Sequence, residues 1–263
     1  MHPLLFKIGS IPVHSYGMLI AIGFLVAIYV IRRLAIQSKL NVDHVLDLAF
    51  WCFLVGFIGA RLLFIVTRWS YFMEDPASIF RVWEGGLVFF GGPLLAVPFA
   101  VWFVRKNKMS PWKTMDVAMP GLAIGHAFGR LGCLAAGCCY GKPTGTSFGV
   151  KLYSDLVEKQ YQGINLHPTQ LYESGALFIL FFGLLWVHKH KSFDGQVGLT
   201  YFMAYPVIRS LVEIYRGDLI RGFVIDGILS TSQFISIFAF LMAGAVLIWR
   251  LKQVDLASSR LKS

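Results

Sequence analysis

A chain of 263 residues in which 56% are hydrophobic and only 14% charged is far from the composition of a soluble domain, where roughly a quarter of the residues carry charge. The formal charge of +10 would suit a nucleic-acid binder. The basic residues, however, fall in alternate loops between apolar runs, so the charge is read as membrane topology and a nucleic-acid partner is excluded.

The opening, MHPLLFKIGSIPVHSYG, lacks the basic start and small-residue cleavage site of a signal peptide, so the first helix is read as a retained anchor. Apolar runs of about 20 residues, enough to cross the hydrocarbon, lie near 15–31, 46–66, 87–104, 115–135, 169–187, 196–215 and 231–249. The expected fold is an all-α integral membrane protein of about seven transmembrane helices. It forms a single membrane-embedded domain over 1–263, with a small external, periplasmic-side head at 136–168.

One set of loops holds Arg32, Arg33 and Lys39, then Arg105, Lys106, Lys108 and Lys113, then Lys189 and Lys191, then Arg250, Lys252, Arg260 and Lys262. In the opposite set Lys7, Arg68, Arg81, Lys142, Lys151, Lys159, Arg216 and Arg221 are nearly balanced by Glu74, Asp75, Glu84, Asp155, Glu158, Asp218 and Asp226. The first set is therefore cytoplasmic, with the N-terminus outside and the C-terminus inside.

Arg61, Arg130, Arg209, Glu173 and Glu213 fall within or at the edge of spans, where a charge costs about 2.5 to 3.5 kcal/mol on insertion. In YPVIRSLVEIYRGD, Tyr205, Arg209, Glu213 and Arg216 share one helical face. An ion pair between Arg209 and Glu213 that merely ties helices is the plain reading of that stripe. A second stripe argues for more: His126, Arg130 and Cys133 share a face beside the seam Gly121, Gly125 and Gly129. Arg130 lies about 22 Å from the cytoplasmic start near Met115, at ~1.5 Å per residue, hence in the outer half of the bilayer. With Tyr16 at the outer start of the first helix and His167, Gln170, Tyr172 and Glu173 at that of the fifth, polar groups converge on one outward-facing cavity. In WEGGLVFFGG, Gly85, Gly86, Gly91 and Gly92 can bring backbone amides to an anion, or simply form a tight turn.

The segments HSYGM (14–18), VWEGGLVFFGG (82–92), GRLGCLAAGCCYGKPTG (129–145), HPTQLYE (167–173) and YPVIRSLVEIYRGD (205–218) resemble, in order and over nearly the whole chain, the prolipoprotein diacylglyceryl transferases of bacterial membranes. The resemblance implies an enzyme of the bacterial cytoplasmic (inner) membrane, active on its outer side. It would move the diacylglyceryl group of phosphatidylglycerol onto the lipobox cysteine of a prolipoprotein signal peptide and release glycerol phosphate, with no cofactor. By the family's pattern the important positions are Tyr16, Arg130, Gly141, Tyr205, Arg209 and Glu213, supported by His167, Gln170, Tyr172 and Glu173. Many members carry histidine where this chain has Phe90, a residue often proposed as general base, and asparagine where it has Cys133. With Phe90 unable to take a proton, His126 is the best-placed imidazole for that role, with His167 at the outer rim second; the plain reading of His126 is a bond to a neighbouring helix beside the glycine seam.

Arg130 and Arg209 suit a departing phosphate because guanidinium stays charged and binds oxygens bidentately. A phospholipid transporter or flippase on the same bundle would use them equally, but it predicts polar residues across the full membrane depth. LAAGC (134–138) looks like a lipobox, yet it lies far from the N-terminus behind His126 and Arg130. Cys133, Cys138 and Cys139 have no CxxC spacing, and adjacent cysteines rarely chelate one ion, so no metal is expected and a structural disulfide outside the membrane stays open. Cys52 is expected to pack within its span.

Overall fold

Apolar runs in lipid satisfy their backbone polar groups by hydrogen bonds within helices. The computed structural model describes residues 4–8, 11–81, 85–154, 156–217, 223–225 and 229–260. A hairpin of β1 (Leu4–Ile8) and β2 (Ile11–His14) leads into α1 (Ser15–Gln37). There follow α2 (Val42–Thr67), the short α3 (Trp69–Glu74), α4 (Gly91–Lys106) and α5 (Pro111–Ala136). Strands β3 (Val150–Lys151) and β4 (Asn165–Leu166) pair antiparallel before α6 (Thr169–His190) and α7 (Gln196–Ile214). A last hairpin, β5 (Phe223–Ile225) with β6 (Leu229–Ser230), precedes α8 (Thr231–Arg260).

Among the described residues, 6 helices are long and apolar enough to cross a membrane, namely α1, α2, α5, α6, α7 and α8 over Thr231–Val254. The chain is a multi-pass membrane protein. The span expected at 87–104 corresponds to α4, whose 16 residues rise about 24 Å at ~1.5 Å per residue, so it is shorter than those six. Its start is delayed because Gly85 and Gly86 take φ of +90° and +81°, backbone that ends a right-handed helix and that glycine adopts most readily.

Two compact units divide the chain, residues 1–30 with 115–263 and residues 31–114. In the first, Ala27 of α1, Ala123, Ile124 and Ala127 of α5, Leu177, Leu180, Phe181 and Leu184 of α6, and Val197 and Tyr201 of α7 form one buried cluster. Small residues let α1 and α5 approach: a Cβ on Gly23 would lie 3.2 Å from the Gly125 carbonyl oxygen, the close backbone contact expected where lipid supplies no hydrophobic drive. In the glycine seam Gly125 makes this contact, whereas a Cβ at Gly129 would meet nothing within 4 Å.

The start of α7 is fixed by Asp116, fully buried on α5. Its carboxylate accepts from the backbone N–H of Gly195 (2.8 Å) and Gly198 (3.1 Å) and from Lys191 Nζ (2.7 Å). A carboxylate there satisfies orphan amides and meets the positive end of the helix dipole. Between α5 and α6, Tyr140, Leu152, Val157 and Leu166 make a small core of their own under the β3–β4 ladder; Asp155 lies outside the described residues.

In the second unit α2 packs on α4 through glycine pairs. A Cβ on Gly91 would fall 2.2 Å from the Gly59 carbonyl oxygen, and one on Gly92 would fall 3.3 Å from that of Gly56. Arg61, buried on α2, donates to the carbonyl oxygens of Ser78 (2.6 Å), Ile79 (3.2 Å), Arg81 (3.4 Å), Gly85 (2.6 Å) and Gly86 (3.0 Å). That explains a charge inside a span: the guanidinium organises the loop before α4.

Candidate active site

Helix periodicity puts His126 and Arg130 one turn apart on α5, and both face Glu173 of α6. The Glu173 side chain is 1% exposed, and its Oε1 lies 3.0 Å from Arg130 Nη2 and 3.8 Å from His126 Nε2. The Tyr205 hydroxyl of α7 donates to the same oxygen at 3.3 Å. The His126 ring rests against Tyr205 at 5.2 Å between centroids, and Tyr205 stacks on Tyr201 at 5.7 Å. One buried carboxylate thus gathers a guanidinium, an imidazole and a phenol from α5 and α7.

One turn beyond Tyr205, the buried Arg209 donates to Ser232 Oγ of α8 at 3.1 Å. Its Nη2 also lies 2.5 Å from Glu213 Oε2, an ion pair by distance in which that oxygen is out of line for a hydrogen bond. Arg209 lies within electrostatic reach of Glu173, Glu213, Arg216 and Tyr205. Among the described residues, Arg130 Nε and Arg209 Nη1 are buried without a hydrogen-bond partner. Donors on permanently charged groups in that condition are costly unless an acceptor arrives.

The motif HPTQLYES does two jobs. Thr169 Oγ1 donates to the Cys139 carbonyl oxygen (2.8 Å), Gln170 Nε2 to that of Cys138 (2.6 Å) and Ser174 Oγ to that of Ala127 (3.0 Å), which lashes α5 and the turn after it to α6. Glu173 is the residue of this motif that enters the cluster. Gln170, 1% exposed, therefore holds backbone. His167 and Tyr172 interact at 3.2 Å between Nδ1 and Oη, and with Tyr215 they form an aromatic group. Gly141 has no room for a side chain: a Cβ would fall 2.6 Å from both His167 Cβ and the Tyr215 carbonyl oxygen. Its amide donates to the His167 carbonyl at 2.9 Å.

Several expectations are corrected. Arg216 does not continue the α7 stripe, because the helix ends at Ile214 and Arg216 pairs by a β-bridge with Gly141. The amides of Gly91 and Gly92 are not open to an anion, since they donate to the carbonyls of Val88 and Phe89, each at 3.0 Å. Gly85 and Gly86 present carbonyls to Arg61. All four glycines and the exposed Phe90 belong to the second unit; Val82, Trp83 and Glu84 lie outside the described residues, as does Asp218. A cavity of about 300 Å³ in that unit is lined by Arg61, Arg68, Tyr71, Phe72 and Arg81. Tyr16 lies on the first unit, 38% exposed, and a Cβ on Gly132 would come within 3.1 Å of its ring. No disulfide joins the cysteines, and Cys52 packs toward the Ala96 carbonyl at 4.0 Å.

The sequence passes over Asp116 and understates Glu173. Asp116 sits in the first turns of α5, where an acid is unremarkable, and its partners are some 80 positions away. Glu173, expected in a supporting role at the outer start of the fifth span, is the hub of the cluster.

Fold and cluster together define a multi-pass helical membrane protein with an ion-paired site buried among α5, α6 and α7. The family described as prolipoprotein diacylglyceryl transferase matches residues 3–249. The chain is 34% identical over 254 residues to phosphatidylglycerol–prolipoprotein diacylglyceryl transferase 2 of Clostridium perfringens, covering 97% of this chain and 96% of that one. It is 34% identical to the Clostridium tetani enzyme of the same activity (92% and 95% covered) and 31% identical to that of Finegoldia magna (94% and 94%). The chain belongs to the prolipoprotein diacylglyceryl transferase family and is a transferase.

Proposed function

We propose that the chain transfers the diacylglyceryl group of phosphatidylglycerol to the cysteine thiol of a prolipoprotein lipobox and releases glycerol phosphate. The observation that carries this reading is the pair of buried, partly unsatisfied arginines. Arg130 Nε and Arg209 Nη1 have donors to spare among the described residues, and a phosphate is the acceptor that two guanidinium groups fit best. Family membership supplies the reaction; the transporter alternative has no observation in its favour.

In this reaction the thiol sulfur bonds to the terminal glyceryl carbon, the bond from that carbon to the phosphate oxygen breaks, and the thiol proton is lost. Charge on the leaving phosphate grows, and Arg130 and Arg209 would stabilise it in a site poor in water. Glu173 orients Arg130, and Glu213 orients Arg209. A thiol of pKa near 8.5 needs roughly 2 kcal/mol to ionise near neutral pH. Positive charge supplies part of this, and His126, 3.8 Å from Glu173, is our candidate to take the proton. Tyr205 and Tyr16 would donate to lipid oxygens, and His167 and Tyr172 would line the rim. Orientation follows the basic loops: the N-terminus and the 136–168 head outside the cytoplasmic membrane, the C-terminus within the cell.

The test is purified protein with phosphatidylglycerol and a lipobox peptide, followed by mass spectrometry. A thioether-linked diacylglyceryl adduct is expected; lipid binding without adduct would favour the transporter.

A further inference from the structure

The spacing of Cys133, Cys138 and Cys139 is not CxxC, and adjacent cysteines such as Cys138 and Cys139 rarely chelate one ion. The backbone removes both objections. Gly137 and Cys139 have φ of +77° and +63°, so the chain reverses after α5 and brings the three sulfurs within 4.8 Å of one another. A non-glycine residue at positive φ costs of order 1 kcal/mol or more and persists only where the surroundings hold it. Here they do: the Cys138 amide donates to the Cys133 carbonyl at 3.0 Å, Gln170 and Thr169 grip the carbonyls of Cys138 and Cys139, and Ser154 Oγ donates to that of Ala136 at 2.9 Å.

We propose that Cys133, Cys138 and Cys139 form a thiolate site for one soft divalent cation of the zinc type, with the fourth position of its tetrahedron taken by an exogenous ligand. Two sulfurs on one tetrahedral zinc stand about 3.8 Å apart, given Zn–S of ~2.3 Å. The observed separations close to that by side-chain rotation of less than about 1 Å each. Among the described residues no other group of His, Cys, Asp and Glu side chains meets the geometry, and no fourth such ligand joins this one. Zinc with three thiolates carries one net negative charge, and Arg130 and Arg216 lie within electrostatic reach of Cys139 to balance it. All three cysteines are half-buried, so the ion can be delivered and removed. The bound cation would fasten the end of α5, one turn past Arg130, to the turn that α6 holds.

The experiment uses the full chain in detergent with its thiols kept reduced, loaded with zinc and desalted, and in parallel titrated with cobalt(II). One equivalent of zinc and a near-ultraviolet thiolate-to-cobalt band saturating at one equivalent are expected. Cys138→Ser and Cys139→Ser should each weaken binding by more than about a hundredfold, whereas Cys52→Ser should leave it unchanged. Should a serine variant fail to fold, zinc protection of these three thiols from maleimide in the wild-type protein, mapped by peptide mass spectrometry, decides the matter. Sub-stoichiometric zinc with all thiols reduced, a band that survives both serine variants, thiols that zinc does not protect, or a resting protein in which two of the three are joined as a disulfide would each overturn the proposal.

Discussion

Glu173 Oε1 is shared by Arg130, Tyr205 and His126, so it fixes where the guanidinium points and what faces the imidazole. Removing the carboxylate charge strands Arg130 in a buried site, which costs roughly 3–5 kcal/mol for a broken buried pair. Glu173→Gln should therefore lower the melting temperature and turnover together. A variant that melts and turns over as the parent does would make Glu173 a bystander. Arg130→Lys keeps the charge but loses the planar fork, and turnover should fall by about 10² to 10³, the usual effect of losing one preorganised donor to a developing anion. His126→Gln should cost about 10² to 10⁴ in turnover with folding retained; a rate and pH profile unchanged from the parent would leave His126 to packing against Tyr205. At this scale the sequence was legible wherever helical spacing decides the outcome: His126 and Arg130 on one face, Arg209 and Glu213 one turn apart. It was not legible for Glu173, because the rank of an acid at a helix start depends on which residues of α5 and α7 it meets.

Arg61 belongs to the element scale, because it acts on a loop. Its guanidinium binds five carbonyls of the 78–86 segment, and Arg61→Met would leave several buried acceptors unpaired at about 1–3 kcal/mol each. Faster proteolysis within that segment and a lower melting temperature are expected; an unchanged cleavage pattern would show that the loop holds itself. The glycines of WEGGLVFFGG illustrate why a local motif misleads. Paired glycines serve equally for an anion cradle, a turn or a tight helix crossing. Only the partners, Gly56 and Gly59 on α2, decide for the crossing in Gly91 and Gly92. The same partner-dependence hid Asp116, which caps a helix distant in sequence.

For the whole molecule, hydropathy located the long helices of the described residues, and the later start of α4 has a local cause in Gly85 and Gly86. The proposed orientation has a direct check. In a cysteine-free background, a single cysteine at Lys159 should react with an impermeant maleimide in intact cells, and one at Lys108 only after lysis; the reverse pattern would invert the topology. The central claim is that the buried arginines of α5 and α7 drive lipid transfer to a thiol. It is tested most directly by measuring, in one sample of phosphatidylglycerol liposomes with a lipobox peptide, the thioether adduct, the glycerol phosphate released and the lipid bound, for the parent, Arg130→Lys and Arg209→Ala. One glycerol phosphate per adduct is expected from the parent, with variants that retain bound lipid while adduct and glycerol phosphate both fall by at least about a hundredfold. Variants that transfer as fast as the parent would contradict the central claim.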